Sequence, residues 1–537
     1  MRPFRMRAAV AAGLALASVA LVLAAGQAGA PYDLIIRNAR IADGTGAPWA
    51  FGDVAVRGDT IAAMGRSLQG EARAVVDAKG RVVSPGFIDL HTHARRGIFQ
   101  VPTAENYVRQ GVTTIFEGPD GSSPLPIGSF LEKVKATGTS VNFGTFVGQG
   151  SVREKVIGEA NRAATPAELD AMRTLVRQAM LDGAFGLSTG LFYVPGNFSP
   201  TTEVAALARV AGEMGGIHIS HMRDEAAEVV ASVRETVAIG EQGGLPTQVT
   251  HHKIIGKANW GRSVETLRVV DEARARGVDA TVDQYPYTAS STSIQAALFP
   301  AWAQDGGREG LIKRLADPAL RAKIRAESAA LIRDARGGGD PRNIVIASCG
   351  WDQSLAGKSF ADILRGRNLE PTVDNAADIA IWIVEQGGCS GIFHAIAEED
   401  LVGILRHPAT MVASDGEIPI FGRAHPHPRS YGTFVRVLGV YVRDKQVIGL
   451  EEAVRKMTSM PARRVGLDDR GLIRPGMKAD LAVWDPATIR DLATFTTPHQ
   501  YAEGVHLVVV NGTVVFDGKE MTPSRPGRVI YGPAYER

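Results

Sequence analysis

Cysteine is almost absent: Cys349 and Cys389 are the only two in 537 residues. Two thiols cannot build a disulfide framework, and both lie far along the chain from the histidine-bearing segments, so neither is an obvious metal ligand. They could bond to each other in an exported protein, although spacing alone does not establish the geometry. Also missing is an excess of one charge. Lys and Arg number 59 against 57 Asp and Glu, and no basic run is suited to a nucleic acid or an anionic membrane. Beyond the first thirty residues there is no low-complexity tract and no tandem repeat. What remains is an ordinary globular composition, 45% hydrophobic and 22% charged, on a chain too long for one common compact domain unless that domain is a βα barrel.

The N-terminus has its own pattern. Arg2, Arg5 and Arg7 precede an apolar run from Ala8 to Ala25, followed by small residues from Gly26 to Ala30. This is the layout of a secretory signal peptide, residues 1–30, with cleavage after Ala28 or Ala30 and export to the periplasm or the medium. No adjacent arginine pair and no nearby cysteine point to a twin-arginine or lipid-anchored route. After removal the chain is nearly neutral and needs no membrane.

Residues 31–84 read as short hairpin strands with Asp-Gly and Gly-Asp breaks, and residues 465–537 return to the same vocabulary, including a turn at Asn511-Gly512. The two ends predict one small β-sandwich domain assembled from both termini. Between them, residues 85–464 alternate strand and helix. The strands are GFIDLHTH, VTTIFEG, VNFGTFVGQ, AFGLSTGL, GIHISHM, TQVTHHK, VDATVDQYPY and TMVASDG. A capping box, Thr165-Pro166-Ala167-Glu168, opens a helix whose Leu169, Met172, Val176 and Met180 keep helical spacing. Eight βα units predict an α/β chain folded as a TIM-type (β/α)8 barrel, with chemistry at the C-terminal strand ends. An insertion, about residues 292–395, holds a charged helical run and a lone strand, NIVIAS, and is expected to lie over the barrel mouth as a lid.

Side chains two apart on a strand share a face, so His91 and His93 can reach one ion. His221 ends the fifth strand and His251 the sixth; His218 should face away and serve packing, and His252, adjacent to a ligand position, should either support that ligand or belong to the loop. Asp415 ends the eighth strand, where a carboxylate beside a metal can move a proton between water and a leaving group. The second strand ends on two acids, Glu117 and Asp120, in TTIFEGPDG. Either could be a turn residue or a ligand.

These segments resemble the amidohydrolase superfamily and, within it, the N-acyl-D-amino-acid deacylases. The likeness runs in order through PGFIDLHTHA, GVTTIFEGPDG, STGLFYVPG, HISHMRDE, THHKIIGKANWG, DQYPYTASST, ASDG, HPRSYGTF and GLIRPGMKADLAVWDP. Relatives that use a carboxylated lysine at the fourth strand are disfavoured, because AFGLSTGL has none. The resemblance implies a tightly bound Zn2+ on His221 and His251, a weaker metal position lined by His91 and His93, and Asp415 as catalytic acid and base. It implies Lys253, Tyr285 and Ser291 on the substrate carboxylate with Arg223 close by, and a side-chain pocket shaped by Phe192 and residues 393–396. Where the family commonly has a cysteine ligand this chain has Asp120, with Glu117 as the alternative. A carboxylate is better suited than a thiolate to bridging two ions. The expected activity is zinc-dependent hydrolysis of a linear amide in a small N-acylated amino acid or short peptide, most simply an N-acyl-D-amino acid. A D-peptidase or other amidase is the alternative, and a metal-binding barrel without activity is the remaining one.

Overall fold

The computed structural model describes residues 32–536, so the signal-peptide segment lies outside the described residues. The eight barrel strands are Phe87–Asp89, Val112–Glu117, Asn142–Thr145 (resumed at Val147–Gly148), Gly186–Gly190, Ile217–His221, Thr247–Val249, Ala280–Gln284 and Thr410–Val412. Each pairs in parallel with the next in chain order. The circle closes between the eighth and first. Buried Asp89 accepts from the backbone N–H groups of His91 and Ser414, both at 3.1 Å, and Thr92–His93 pairs in parallel with Gly416–Glu417. The strands are buried on both faces, as parallel strands under a helical shell must be; the β-branched run in Val112–Glu117 is wholly buried. Its helical shell forms where local chemistry asks for it. The helix Pro166–Leu181 starts at the reciprocal Thr165–Glu168 cap and buries Met172, Val176 and Met180.

Strands from both ends of the chain form one eight-stranded sheet. Its seam is the antiparallel pairing of Val82–Pro85 with Leu481–Trp484. The edge strand Thr60–Gly65 reaches the segment just before Leu481–Trp484, where Thr60 bridges Lys478, and the sheet covers a core of Leu34, Ile36, Val54, Val83, Leu481 and Val509. The last residues depart from the expected β domain. Phe143 donates its N–H to Arg528 and Ile530 donates to Phe143, both at 2.9 Å, so the tail lies along the third barrel strand. Gly527 permits that approach, since a Cβ there would sit 2.1 Å from the carbonyl oxygen of Val141.

The insertion is a packed body with its own hydrophobic core, built around Leu298, Phe360, Ile379, Ile383 and Phe393. Its expected lone strand has partners. Ile344–Cys349 pairs with Cys389–His394, which pairs with Ala289–Ser293, all antiparallel. The partners read CSGIFH and ASSTS, too poor in apolar alternation to announce strands; the sheet exists because it packs on the helices beneath. Cys349 and Cys389 face each other across two of these strands as a disulfide, Cα atoms 4.5 Å apart. No helix among the described residues is long and apolar enough to cross a membrane.

Candidate metal centre

Six side chains converge at the C-terminal mouth of the barrel, and Asp120 is at their middle. Its Oδ1 lies 3.3 Å from His91 Nε2 and 3.3 Å from His251 Nε2. Its Oδ2 lies 3.4 Å from His93 Nε2 and 3.6 Å from His221 Nδ1. Asp415 Oδ1 is 3.0 Å from His93 Nε2 and 3.5 Å from His91 Nε2. Two overlapping groups result: His91, His93, Asp120 and Asp415 form one, Asp120, His221 and His251 the other, with donor atoms in each within 4.8 Å of one another. Asp120 is the shared member, which is the arrangement a bridging carboxylate requires.

Of the two acids in TTIFEGPDG, only Asp120 reaches this centre. Glu117 is buried against Arg95, its Oε1 2.6 Å from Arg95 Nε and its Oε2 accepting the Arg95 N–H at 3.0 Å. The alternative ligand is therefore corrected: Glu117 is spent on a salt bridge, because the Gly118-Pro119 turn swings the chain before Asp120 and turns its carboxylate inward. The turn is pinned to the fourth strand, where Ser188 donates to the Gly118 carbonyl and accepts the Gly121 N–H. Gly121 has φ +71°, and a Cβ there would lie 2.5 Å from the Gly190 nitrogen.

Asp120, His251 and Asp415 all adopt left-handed backbone, with φ of 56°, 34° and 52°. Such conformations cost about 1–3 kcal/mol each in a non-glycine residue and persist only where neighbours hold them. Asp283 accepts the His251 N–H at 2.6 Å, and the His91 carbonyl accepts the Asp415 N–H at 2.9 Å.

Electrostatics match the geometry. Burial pushes the Asp120 carboxyl up, but the imidazoles of His91, His251 and His221 outweigh it and hold Asp120 well below the usual carboxylate range. Burial likewise opposes ionisation of Asp415, and the Arg429 guanidinium with the neighbouring imidazoles wins; Arg429 Nη1 lies 2.6 Å from Asp415 Oδ2. The two carboxylates in turn draw positive charge. They raise His93 to about 10 and His251 to about 9 against the burial that would lower both. A divalent cation supplies that charge while leaving the imidazoles neutral. The donor set fits one on a second count: His91 Nε2 and Asp120 Oδ1 are buried with no hydrogen-bond partner, a cost of about 1–3 kcal/mol per group unless something between them is shared.

A cavity of about 410 Å³ opens from this centre. Lys253, Tyr285 and Ser291 line it. The Tyr285 hydroxyl is buried without a partner, and Lys253 Nζ donates to Glu225 and lies 2.8 Å from His251 Nδ1. Arg223 does not reach the cavity: Glu235 takes its Nε at 3.0 Å and Nη2 at 2.8 Å, and the Asn197 and Ser199 carbonyls take the rest. Phe192 is off the wall too. It stacks behind His221, centroids 5.5 Å apart, and its neighbour Tyr193 lines the cavity instead. Ala395 and Ile396 pack behind Tyr285. His218 hydrogen-bonds with Thr189 and Thr247, in keeping with a packing role, and His252 turns away from the centre to Thr266.

Sequence reasoning missed Arg429, Arg336 and Glu225, all buried on the cavity wall. Arg429 lay in HPRSYGTF and Glu225 in HISHMRDE, segments recognised without a role for either residue. Arg336 carried no signal, being one charge in a helical run of charges.

A (β/α)8 barrel with an imidazole and carboxylate centre at its C-terminal mouth defines a class, the metal-site barrel. Within that class the chain belongs to the amidohydrolase family, whose pattern matches residues 133–516, and to its N-acyl-D-amino-acid deacylase branch. It is 35% identical over 93% of its length, and 98% of the other's, to a D-aminoacylase from Alcaligenes xylosoxydans xylosoxydans. Among solved structures, a D-aminoacylase described for the role of its binuclear metal center superposes with TM-score 0.79 at 34% identity, over 93% of this chain and 100% of that one. An N-acyl-D-glutamate deacylase from Bordetella bronchiseptica, complexed with zinc and a phosphonate inhibitor mimicking the tetrahedral intermediate, superposes at 0.80 with 34% identity, over 94% and 100%.

Proposed function

We propose that this protein is a zinc-dependent hydrolase of N-acyl-D-amino acids, releasing the D-amino acid and a carboxylate. The observation that carries the reading is Asp120, whose two oxygens face both histidine pairs beside Asp415. Its relatives support it: one is named for D-aminoacyl substrates and another was solved with zinc. His221, His251 and Asp120 would hold one ion, and His91 and His93 with the same Asp120 a second. A zinc ion held there would polarise the scissile carbonyl and would lower the pKa of its water to about 7.

The remaining work falls to side chains. Asp415 accepts the proton of the attacking water, with Arg429 holding its other oxygen so that Oδ1 faces the histidines. The same carboxyl then protonates the departing nitrogen, because an amide anion is too basic to leave. Lys253, the Tyr285 hydroxyl and Ser291 take the substrate carboxylate, joined by Arg429. With carboxylate and carbonyl both fixed, the two remaining groups on the α-carbon must match the wall, and handedness follows. Export to the periplasm or beyond completes the reading; it rests on residues 1–30 and on the Cys349–Cys389 disulfide, a bond that persists in oxidising compartments.

The test is an assay of the zinc-loaded protein on N-acetyl-D-amino acids, their L forms and D-terminal dipeptides. Release of free amino acid from the D series alone is expected. Turnover of the dipeptides alone would make it a D-peptidase, and turnover of none would leave a metal-binding barrel without this activity.

A further inference from the structure

Behind the two histidines of the fifth and sixth strands sits a carboxylate for which the reaction above has no use. Glu225 is 2% exposed. Its Oε1 lies 3.3 Å from His251 Nδ1 and its Oε2 3.8 Å from His221 Nε2. These are the ring nitrogens opposite the ones that face Asp120, which are His251 Nε2 and His221 Nδ1. An imidazole that binds a cation through one nitrogen carries its proton on the other, and a carboxylate at that second nitrogen fixes the tautomer, the ring plane and the basicity. Glu225 is placed to do this for His251 at close range and faces His221 across 3.8 Å, where the buried His221 Nε2 has no other partner.

Glu225 also holds the cations of the cavity. It accepts from Lys253 Nζ, and Arg336 Nη2 lies 3.4 Å from its Oε2. One acid against two cations leaves a surplus positive charge on the wall that carries the unpartnered Tyr285 hydroxyl. Lys253 Nζ also sits 2.8 Å from His251 Nδ1, yet an ammonium cannot donate to a nitrogen that bears a proton. When His251 binds through Nε2, Lys253 must turn from the ring toward Glu225 and the cavity. Arg336 ends the segment Ile332–Arg336, so the insertion contributes a residue to this wall.

We infer that Glu225 is a positioning residue that backs both His221 and His251 and anchors Lys253 and Arg336, so that hold on zinc and hold on a substrate carboxylate depend on one side chain. The inference rests on the zinc-hydrolase reading above. Its test reads zinc affinity by chelator competition in the full-length protein, without substrate, so a failure of the N-acyl-D-amino acid assay leaves it independently decidable. Glu225→Gln should bind zinc about 10–100-fold more weakly, with an unchanged circular dichroism spectrum and a raised KM. Lys253→Met should raise KM while zinc affinity stays within about threefold of wild type, because the carboxylate behind the rings remains. A folded Glu225→Gln protein with wild-type zinc affinity would overturn the inference, as would equal weakening in Lys253→Met, which would assign the effect to local charge. If Glu225→Gln does not fold, Glu225→Asp takes its place: it keeps the charge but withdraws the carboxylate from the rings, and wild-type zinc affinity in it would count against the role equally.

Discussion

Asp415 must stay ionised until water reaches it and then give its proton up, and the Arg429 guanidinium serves the first requirement. Asp415→Asn keeps the size of the side chain and removes the proton acceptor. The expected outcome is a loss of about 10²–10⁴-fold in kcat with the ion of the Asp120–His221–His251 group, which lacks Asp415, retained, measured by steady-state kinetics beside elemental analysis; substantial remaining turnover would refute the assigned role. Asp120→Asn should act differently, lowering the metal content of both positions, since both donor groups share that carboxylate. His218, two hydrogen bonds deep in the barrel, offers a titration removed from the reaction. Burial holds its pKa at about 3, below the ordinary imidazole value of 6.5. The folded chain therefore refuses a proton that the unfolded chain accepts: the stability is present in full above pH 6.5 and is lost as pH falls toward 3, at about 1.4 kcal/mol per unit. Chemical denaturation at pH 7, 6, 5 and 4 should show a shallower acid decline in His218→Gln than in wild type.

At the scale of elements, the wall of the cavity depends on contacts between segments distant in sequence. The helices Gln149–Ile157 and Thr201–Glu213 are locked by Arg153, whose Nη1 meets Glu203 Oε1 at 2.6 Å and Oε2 at 2.8 Å with both side chains buried. Removing one partner of such a pair strands the other charge, so Glu203→Gln should cost about 3–5 kcal/mol in urea unfolding. The insertion is the other case. Its three-stranded sheet, disulfide and separate core position Ser291 and Arg336 over the barrel mouth. Closing a loop of 40 residues, the disulfide is worth about 2–4 kcal/mol to the chain. A reductant should accordingly lower the midpoint of thermal unfolding.

For the whole molecule, anything that binds only the native state stabilises it in proportion to its affinity and concentration. Zinc removal by a chelator should abolish hydrolysis and lower the thermal midpoint together, and added zinc should restore both; a chelated protein with unchanged midpoint would contradict a centre that ties the ends of five strands. The same scale explains which parts of the site were legible. His91, His93, Asp120, His221, His251 and Asp415 each follow an apolar strand, so local pattern and barrel geometry together announce them. Glu117 carried the same local signal as Asp120, and only the turn at Gly118-Pro119 separates a ligand position from a salt bridge. Arg223 was expected near the substrate carboxylate from the resemblance alone, but Glu235, on the next helix, captures it.

By itself the sequence determined the strand and helix alternation, the barrel, the two-ended β domain and the residue types at the strand ends, because periodicity and turn chemistry are local properties. Only the tertiary structure decided that Asp120 is shared between two donor groups, that Glu225 lies behind both rings, and that Arg336 and Arg429 complete the cavity. Those facts depend on distances between segments tens to hundreds of residues apart, and such distances are fixed by packing rather than by any pattern along the chain.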